Sequence, residues 1–312
     1  MRAVFMGTPD FAVPTLSAMA ARTDLVEIVA VVTQPDRPRG RGQRLVASPV
    51  KAWALAHGIP VLQPVRARDA DFAVQLRSYH PDVAVVVAFG QILSQEVLDI
   101  PVHGCINVHA SLLPSYRGAA PIQHAIMHGE TVTGITTMQM DAGLDTGDML
   151  LRKEVDIHAD TTYGMLHDAL METGADLLVE TLERLNAGTL TRTPQMGEST
   201  YAGRIVRETA QINWTQPART LDALVRGLNP IPYAQTALGG AVYKIGAVRL
   251  TGRAADAPAG TIVSADRSNG LCVAAGDEVV EILALQAPGK KMMAASAFLN
   301  GCMLAAGTRF SV

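Results

Sequence analysis

Cysteine is scarce in this chain of 312 residues, and its positions are far apart. Cys105, Cys272 and Cys302 form no Cys-x-x-Cys pair, which excludes a disulfide framework and a cysteine-rich zinc site and favours a reducing compartment. No apolar run reaches the roughly 20 residues of a membrane span. The short apolar start before Gly7 predicts a first β-strand rather than a signal peptide. We therefore expect a soluble, cytoplasmic protein with no membrane contact.

The common nucleotide-binding and metal-binding patterns are also missing. Gly7 follows the first predicted strand, but no Gly-x-Gly-x-x-Gly pattern continues from it, and Pro9 lacks the amide that would cradle a phosphate. There is no Walker lysine motif. His103, His124 and His128 do not have the spacing of metal ligands. We expect neither a dinucleotide cofactor nor a metal.

The composition is that of a folded protein, with 48% hydrophobic and 18% charged residues. The length favours about two domains. The net charge of -3 is unevenly distributed, because the last third, from Thr209 onward, has nine basic and six acidic residues and therefore carries +3. Such a modest excess does not by itself establish a nucleic-acid surface, which remains one hypothesis for this region.

Strand-like and helix-like segments alternate through the first half of the chain. The continuous apolar runs at 26–32, 82–89 and 104–109 are typical of parallel central strands, and helical spacing lies between them. This order predicts an α/β fold with a doubly wound, mostly parallel sheet. Residues 133–140 predict a later strand at the sheet edge, and 161–187 a long amphipathic helix. We expect a catalytic domain over residues 1–188.

A different pattern follows this domain. Glycine and proline interrupt the helical periodicity, which indicates a linker over residues 189–208. One helix is expected at 221–228. The short β-type runs beyond it are separated by Gly and Asp, and they lie at 241–245, 247–250, 260–263, 270–275 and 279–285. This spacing predicts a small barrel or sandwich, and we expect an OB-like β-barrel over residues 209–312.

Asn107 and His109 lie two positions apart at the end of an apolar strand, so both side chains should leave the same face. Ligands bind outside the carboxyl ends of strands in such sheets. A histidine can accept and donate protons near neutral pH, and an asparagine amide can donate to a developing oxyanion. Asp145, in a glycine-rich run, could orient the histidine. The alternatives are a structural histidine and a turn aspartate.

Two basic segments are candidates for nucleic-acid binding. Residues 33–44 contain four arginines and one acidic residue, with proline and glycine that argue against regular structure. The segment is either a solvated flexible loop or a loop that becomes ordered on an RNA backbone. A second basic turn, at 288–291, is by itself typical of a solvated loop. The candidate residues of the two segments are Arg37, Arg39, Arg41, Arg44, Lys290 and Lys291.

These motifs together resemble the methionyl-tRNA formyltransferase family over nearly the whole length. The matching segments include 5–12, 33–38, 40–42, 48–51, 105–109, 111–114, 117–123, 139–141, 143–150, 229–230 and 288–291. The Asn/His/Asp set and Ser-Leu-Leu-Pro are shared by folate-dependent formyltransferases, so they specify the chemistry but not the acceptor. Two departures occur, Ala110 where the family commonly has Gly and Ile231 where it often has an aromatic residue.

The resemblance implies a formyltransferase fold, and formyl transfer from 10-formyltetrahydrofolate to the amino group of methionyl initiator tRNA. Asn107 and protonated His109 would stabilise the oxyanion, Asp145 would orient His109, and no metal would be needed. The folate would bind against Ser111, Leu112, Leu113 and Pro114. The arginines and Lys290 and Lys291 would contact tRNA, and we expect a monomer.

Two alternatives remain open from the residues alone. The first is a folate-dependent formyltransferase acting on a small amine such as an amino sugar nucleotide. It requires the same three side chains, but it leaves the arginine-rich segment and the basic last third without a role. The second is a non-catalytic RNA-binding protein on an enzyme-like scaffold, which leaves the Asn/His/Asp set without a role.

Overall fold

The computed structural model describes residues 1–39, 44–301 and 304–311. Its contacts divide the chain into two compact units. Unit 1 comprises Met1–Ala119, Val132–Asp156 and His167–Ala202, and unit 2 comprises Ala120–Thr131, Ile157–Leu166 and Gly203–Val312. This division differs from the expected boundaries at 188 and 209, because two internal segments group with the C-terminal part and residues 189–202 group with the N-terminal part.

The strands are named here in chain order. They are β1 Arg2–Gly7, β2 Glu27–Val32, β3 Arg37–Arg39, β4 Arg44–Val46, β5 Val61–Leu62, β6 Val83–Val87, β7 Cys105–His109, β8 Arg117–Gly118, β9 Val132–Gln139, β10 Met149–Asp156, β11 Tyr201–Ala202, β12 Ala234–Leu238, β13 Ala241–Ala254, β14 Ile262–Asp266, β15 Gly270–Ala274, β16 Glu278–Gln286 and β17 Met293–Ala294.

The helices are named in the same way. They are α1 Val13–Ala21, α2 Pro49–Ala56, α3 Ala70–Arg77, α4 Gln95–Leu98, α5 Pro121–Met127, α6 Tyr163–Asn186, α7 Ala218–Gly227 and α8 Ala295–Leu299. A single 3-10 turn, Asp10–Ala12, precedes α1. Within the described part of the chain, no helix combines the length and the apolar character that crossing a membrane requires.

Unit 1 is built on a seven-stranded sheet with the order β10-β9-β7-β6-β1-β2-β5. The strands from β7 to β5 are parallel, while β9 is antiparallel to β7 and to β10. The predicted doubly wound, mostly parallel sheet is therefore confirmed. The prediction of an edge strand at 133–140 is wrong, because β10 covers that edge. β10 carries exposed charged residues, as is common in an edge strand. Its sequence therefore lacks the apolar pattern by which the other strands were predicted.

Different helices pack on the two faces of this sheet. One face packs in an apolar cluster that includes Val4, Val86 and Cys105 together with residues of α3 and α4. The opposite face of β7 contacts α6, where an added Cβ at Gly174 would lie 3.1 Å from a Val108 methyl group. Alternate residues of β7 thus serve opposite layers, as the two-residue period of a strand requires.

Unit 2 contains an antiparallel sheet with the order β12-β13-β16-β15-β14, and β17 pairs with β16. The last described residues connect its two edges, because Ser311 bridges Ala237 of β12 and Arg309 bridges Thr261 just before β14. The prediction of a C-terminal β-domain is confirmed, whereas its specifically OB-like class stays a prediction. Trp214 and Phe310 stack in the core of this unit, with ring centroids 5.9 Å apart.

In place of the two short strands expected at 241–245 and 247–250, β13 forms one strand of 14 residues. The pairing of β13 with β16 shifts register around Gly246. A Cβ on this glycine would lie 2.8 Å from the Met292 sulfur, so a larger residue there would require the Met292 side chain to move. The glycine marks a β-bulge rather than a break between strands.

Candidate active site

The candidate site begins at the carboxyl end of β7, where Asn107 and His109 leave the same face of the sheet. β7 lies between β6 and β9, and both neighbours pair with Asn107. The Asn107 side chain is partly exposed, and its amide makes no side-chain hydrogen bond to any residue that the structure describes. It is therefore available to a ligand, while its role as an oxyanion donor stays a prediction.

His109 is 6% exposed and faces an acceptor at each ring nitrogen. Its Nε2 lies 2.9 Å from the Tyr116 carbonyl oxygen, and its Nδ1 lies 3.8 Å from Asp145 Oδ2. A carbonyl can only accept, so Nε2 carries the hydrogen of the neutral ring and Nδ1 carries the lone pair. A proton taken up at Nδ1 would then face a carboxylate, which suits a group that must become positively charged.

Asp145 is held in place from its backbone and its side chain. Its φ of 53° lies in the left-handed region, and its Oδ2 accepts a hydrogen bond from the Gly118 amide at 2.8 Å. The loop around it is tight, because a Cβ on Gly147 would lie 1.8 Å from the Gln139 carbonyl oxygen. The structure thus brings Asp145 to His109, as predicted, although the two residues are far apart in the sequence.

The predicted folate-binding segment forms a compact loop after β7. Ser111 Oγ donates to the Ser115 carbonyl at 2.6 Å, and the Ser111 and Leu113 side chains are fully buried. Thr136, on β9, donates to the Ser111 carbonyl and accepts from the Leu113 amide. Of the four predicted side chains, only those of Leu112 and Pro114 are partly exposed, and their contact with folate stays a prediction. Thr136 anchors this loop, a role that no sequence motif indicated.

A second omission is Gln195, in the segment that the sequence analysis treated as a linker. Its side-chain amide is hydrogen-bonded to the loop of Asp145 and to Arg117, in the loop that follows the predicted folate segment. Nothing in the local periodicity around Gln195 indicates this contact. The only sequence signal for it would have been a polar side chain in a segment otherwise predicted to be exposed linker.

β3 lies in the arginine-rich segment and β4 begins at its last residue, and we call this strand pair the hairpin. The expectation that proline and glycine would prevent regular structure is therefore wrong for residues 37–39 and 44. β3 and β4 pair antiparallel, with Arg37 opposite Val46 and Arg39 opposite Arg44. Proline is tolerated here because a two-stranded ribbon consists only of edge strands. Arg37 is exposed and donates to Gln34 Oε1 at 2.6 Å. Arg41, the central candidate, lies outside the described residues.

The base of this hairpin is fixed by a polar network. Lys51 Nζ donates to Asp36 Oδ2 at 2.6 Å and to Gln63 Oε1 at 2.7 Å, while Gln63 Nε2 donates to Asp36 Oδ1 at 2.8 Å. The hydrogen bond from Lys51, followed by that from Gln63, holds the pKa of the Asp36 carboxyl below its usual value. No sequence motif indicated this network.

Lys290 and Lys291 are both exposed and belong to unit 2. The Lys290 amide donates to the Ala287 carbonyl, which closes the turn, and Gln286 Nε2 donates to the Lys290 carbonyl at 2.6 Å. The two ammonium groups are thus presented on an ordered turn.

Comparison with known proteins assigns the chain to a family. A formyl transferase family model matches residues 1–182, and a model for the formyl transferase C-terminal domain matches residues 204–303. The methionyl-tRNA formyltransferase of Geobacter metallireducens is 49% identical over 310 residues, covering 98% of this chain and 97% of its own. That of Moorella thermoacetica is 50% identical over 308 residues, covering 98% of each. The chain belongs to the methionyl-tRNA formyltransferase family.

Solved structures agree with the fold of this formyltransferase family. WlaRD, a sugar 3N-formyl transferase solved in the presence of dTDP and 5-N-formyl-THF, has a TM-score of 0.65 at 17% identity, covering 93% of this chain and 99% of its own. HypX from Aquifex aeolicus in complex with tetrahydrofolic acid has a TM-score of 0.63 at 17% identity and covers 96% of this chain. The match covers 47% of HypX, so this chain spans about half of that protein's length. At this identity the likeness supports the fold alone.

Proposed function

We propose that this formyltransferase moves the formyl group of 10-formyltetrahydrofolate to the amino group of methionyl initiator tRNA. The observation that carries the proposal is the match to proteins of that name at 49% and 50% identity, which extends through both family domains. We further propose that it works as a monomer in the cytoplasm, the reducing compartment that its cysteine usage favours.

In the proposed mechanism the amine of the aminoacyl group attacks the formyl carbon, and the formyl oxygen becomes negatively charged. The free Asn107 amide donates a hydrogen bond to this oxygen. His109, whose Nε2 hydrogen is engaged by Tyr116, receives the proton of the amine at Nδ1, directly or through water. The imidazolium so formed donates its Nδ1 hydrogen to the oxyanion, and Asp145, 3.8 Å from that nitrogen, stabilises the positive charge. When the intermediate collapses, the bond between the formyl carbon and the folate nitrogen breaks, that nitrogen takes the proton from Nδ1, and tetrahydrofolate leaves.

The local chemistry fits a folate-type formyl donor, a co-substrate that supplies the transferred group. The partly exposed apolar side chains of Leu112 and Pro114 suit the flat ring of such a molecule, and Asn107 suits its formyl oxygen. Ser111 and Leu113 would act from within the loop by holding its backbone, since their side chains are buried. No step of this mechanism requires a metal.

For the tRNA, we propose contacts from both basic segments. Arg37, Arg39, Arg41 and Arg44 would meet the phosphate backbone from the hairpin region, and Lys290 and Lys291 from the turn in unit 2. The hairpin supports this role because its base is fixed by Lys51 and Asp36 while Arg37 remains exposed.

The test is a transfer assay with 10-formyltetrahydrofolate labelled in the formyl group. Methionyl initiator tRNA, free methionine and an amino sugar nucleotide are offered separately, with His109→Ala as the inactive control and His57→Ala as the matched control. We expect label on the methionyl amino group of the tRNA, and a kcat about 10² to 10³ lower for His109→Ala. Label on the sugar nucleotide alone would support the small-amine alternative instead. Binding of tRNA with no transfer to any amine would support the non-catalytic alternative.

A further inference from the structure

The side-chain amide of Gln195 connects the two loops that hold His109 and Asp145. Its Nε2 donates to the carbonyl oxygens of Asp145 and Gly147, both at 2.8 Å. Its Oε1 accepts from Nε and Nη2 of Arg117, at 3.0 and 2.7 Å. Both hydrogens and both lone-pair directions of the amide are therefore used, which fixes its orientation.

Each of these loops supplies one partner of the candidate base. The first loop passes through Tyr116, whose carbonyl holds Nε2 of His109, and Arg117 is the next residue. The second loop carries Asp145, whose carboxylate faces Nδ1 of His109. Gln195 binds the neighbour of one partner and the backbone of the other. A shift at this amide would therefore move the two partners of His109 relative to each other.

The backbone around Gln195 is anchored on both sides. Before it, Thr193 pairs with Met149, with N–H···O distances of 2.9 and 2.8 Å. After it, Thr200 Oγ1 accepts from the Tyr116 amide at 2.8 Å, and β11 pairs in parallel with β8. The segment 193–202 is thus a third element of the site, beside β7 and the Asp145 loop.

Both partners of His109 lie on backbone that needs external support. Tyr116 and Asp145 have φ values of 60° and 53°, in the left-handed region that side chains other than glycine seldom adopt. Such conformations persist where surrounding contacts fix them, and they are common at functional sites. The hydrogen bonds of Gln195 and Thr200 reach both loops at these positions.

We propose that Gln195 is a positioning residue for formyl transfer. It holds Asp145 and the Tyr116–Arg117 segment in fixed positions relative to each other and to His109. The proposal rests on the proposed function, because it assigns His109 and Asp145 the roles given there. It also gives the segment 193–202 a part in the reaction in addition to its place between the two family domains.

Gln195→Glu tests one half of the connection. A carboxylate at this position still accepts from Arg117, but it cannot donate to the carbonyls of Asp145 and Gly147 and repels them. We expect kcat to fall by about tenfold to 100-fold, the loss typical of a small displacement of catalytic groups. KM for tRNA and for the formyl donor should change by less than about twofold, since the substrate contacts are intact. Gln75→Glu, at an exposed position on α3, is the matched charge control.

A double-mutant cycle separates positioning from general destabilisation. If Gln195 acts through Asp145, adding Gln195→Glu to Asp145→Asn should lower kcat by less than about threefold further. Gln195→Met, which keeps the volume and removes both halves of the connection, serves as the second variant should Gln195→Glu fold poorly. Melting temperatures of all variants are measured in parallel.

Full additivity of the two substitutions would overturn the proposal, as would a wild-type kcat in both Gln195 variants. These outcomes are distinct from failure of the proposed function. If the wild-type protein formylates a different amine, the acceptor assignment fails and the same comparison is made with that amine. If the wild-type protein formylates no amine, the role of Gln195 falls with the reaction itself.

Discussion

The Asp145 carboxylate lies 3.8 Å from His109 Nδ1, beyond the length of a hydrogen bond. Its Oδ2 atom meanwhile accepts a hydrogen bond of 2.8 Å from the Gly118 amide. In the neutral state of the ring, Asp145 is thus held by the backbone and not by the histidine. Once Nδ1 takes up a proton, opposite charges face each other in a site where Asp145 is 14% and His109 is 6% exposed. The carboxylate is therefore placed to interact with the charge that His109 gains during the proposed reaction.

Asp145→Asn isolates this charge effect. The asparagine oxygen can still accept from the Gly118 amide, so we expect the melting temperature to change little, while kcat falls by about 10² to 10⁴ as the imidazolium loses its partner. Steady-state kinetics and thermal melts of the variant provide the measurement. Asp176→Asn, with a side chain 78% exposed, is the matched control. A kcat within about twofold of the wild-type value would show that Asp145 has no part in the mechanism.

Arg41→Ala tests the tRNA assignment of the hairpin region. We expect a higher KM for tRNA, an unchanged KM for the formyl donor, and a salt dependence of tRNA binding that is flatter by about one phosphate contact. Binding is measured at several salt concentrations beside Arg77→Ala, whose side chain forms a surface ion pair with Glu96. Identical salt slopes for wild type and Arg41→Ala would identify the segment as solvated loop.

Lys51→Met should raise the pKa of Asp36, since the hydrogen bond from Lys51 is the main cause that lowers it. A carboxyl with a lowered pKa in the folded state stabilises that state above its unfolded pKa, and this contribution is lost as the pH falls through the folded pKa. The wild-type advantage over Lys51→Met should therefore be constant near neutral pH and shrink below the ordinary Asp value of 3.8.

The measurement for Lys51→Met is the melting temperature between pH 3 and pH 7. This interval runs from about one unit below the ordinary Asp pKa to about three units above it. Lys153→Met is the control, because the Lys153 side chain is 53% exposed and its ammonium lies 4.0 Å from Asp176. A difference that grows as the pH falls would contradict the assigned sign.

Thr236→Val tests the polar contact within the apolar core of unit 2. Trp214 Nε1 donates to Thr236 Oγ1 at 2.9 Å, and the two residues are 2% and 1% exposed. The valine would leave the indole N–H buried without an acceptor, at a cost of about 1 to 3 kcal/mol in the free energy of unfolding. Denaturant melts followed by tryptophan fluorescence measure it, with the exposed Thr220→Val as control. Equal stability of the two variants would exclude this contribution.

What the sequence predicted correctly is largely what local patterns encode. The shared face of Asn107 and His109 follows from strand periodicity, and the carboxyl end of a parallel strand follows from the alternation of helices and strands. From the residues alone, Asp145 was an orienter of His109 or a turn residue, and only the family resemblance favoured the first, because nothing local brings a residue so distant in the chain to β7.

The missed contacts have a common physical origin. Gln195 is separated by 50 residues from Asp145 and by 78 from Arg117, and single hydrogen bonds at such separations leave no periodic trace. The Lys51–Asp36–Gln63 network is of the same kind, since its members lie 15 and 27 residues from Asp36. Strand β10 escaped prediction for a different reason, because charged side chains on an edge strand hide its apolar side.

The bridges made by Arg309 and Ser311 have a practical consequence for work with this protein. A chain shortened before Thr308 would lose the segment that joins β12 to the start of β14. Two strands would then present unpaired amides and carbonyls to solvent, and such edges recruit strands from other molecules. We therefore expect a tail deletion, often a harmless change at a chain terminus, to make this protein self-associate, which sedimentation of the shortened chain would reveal.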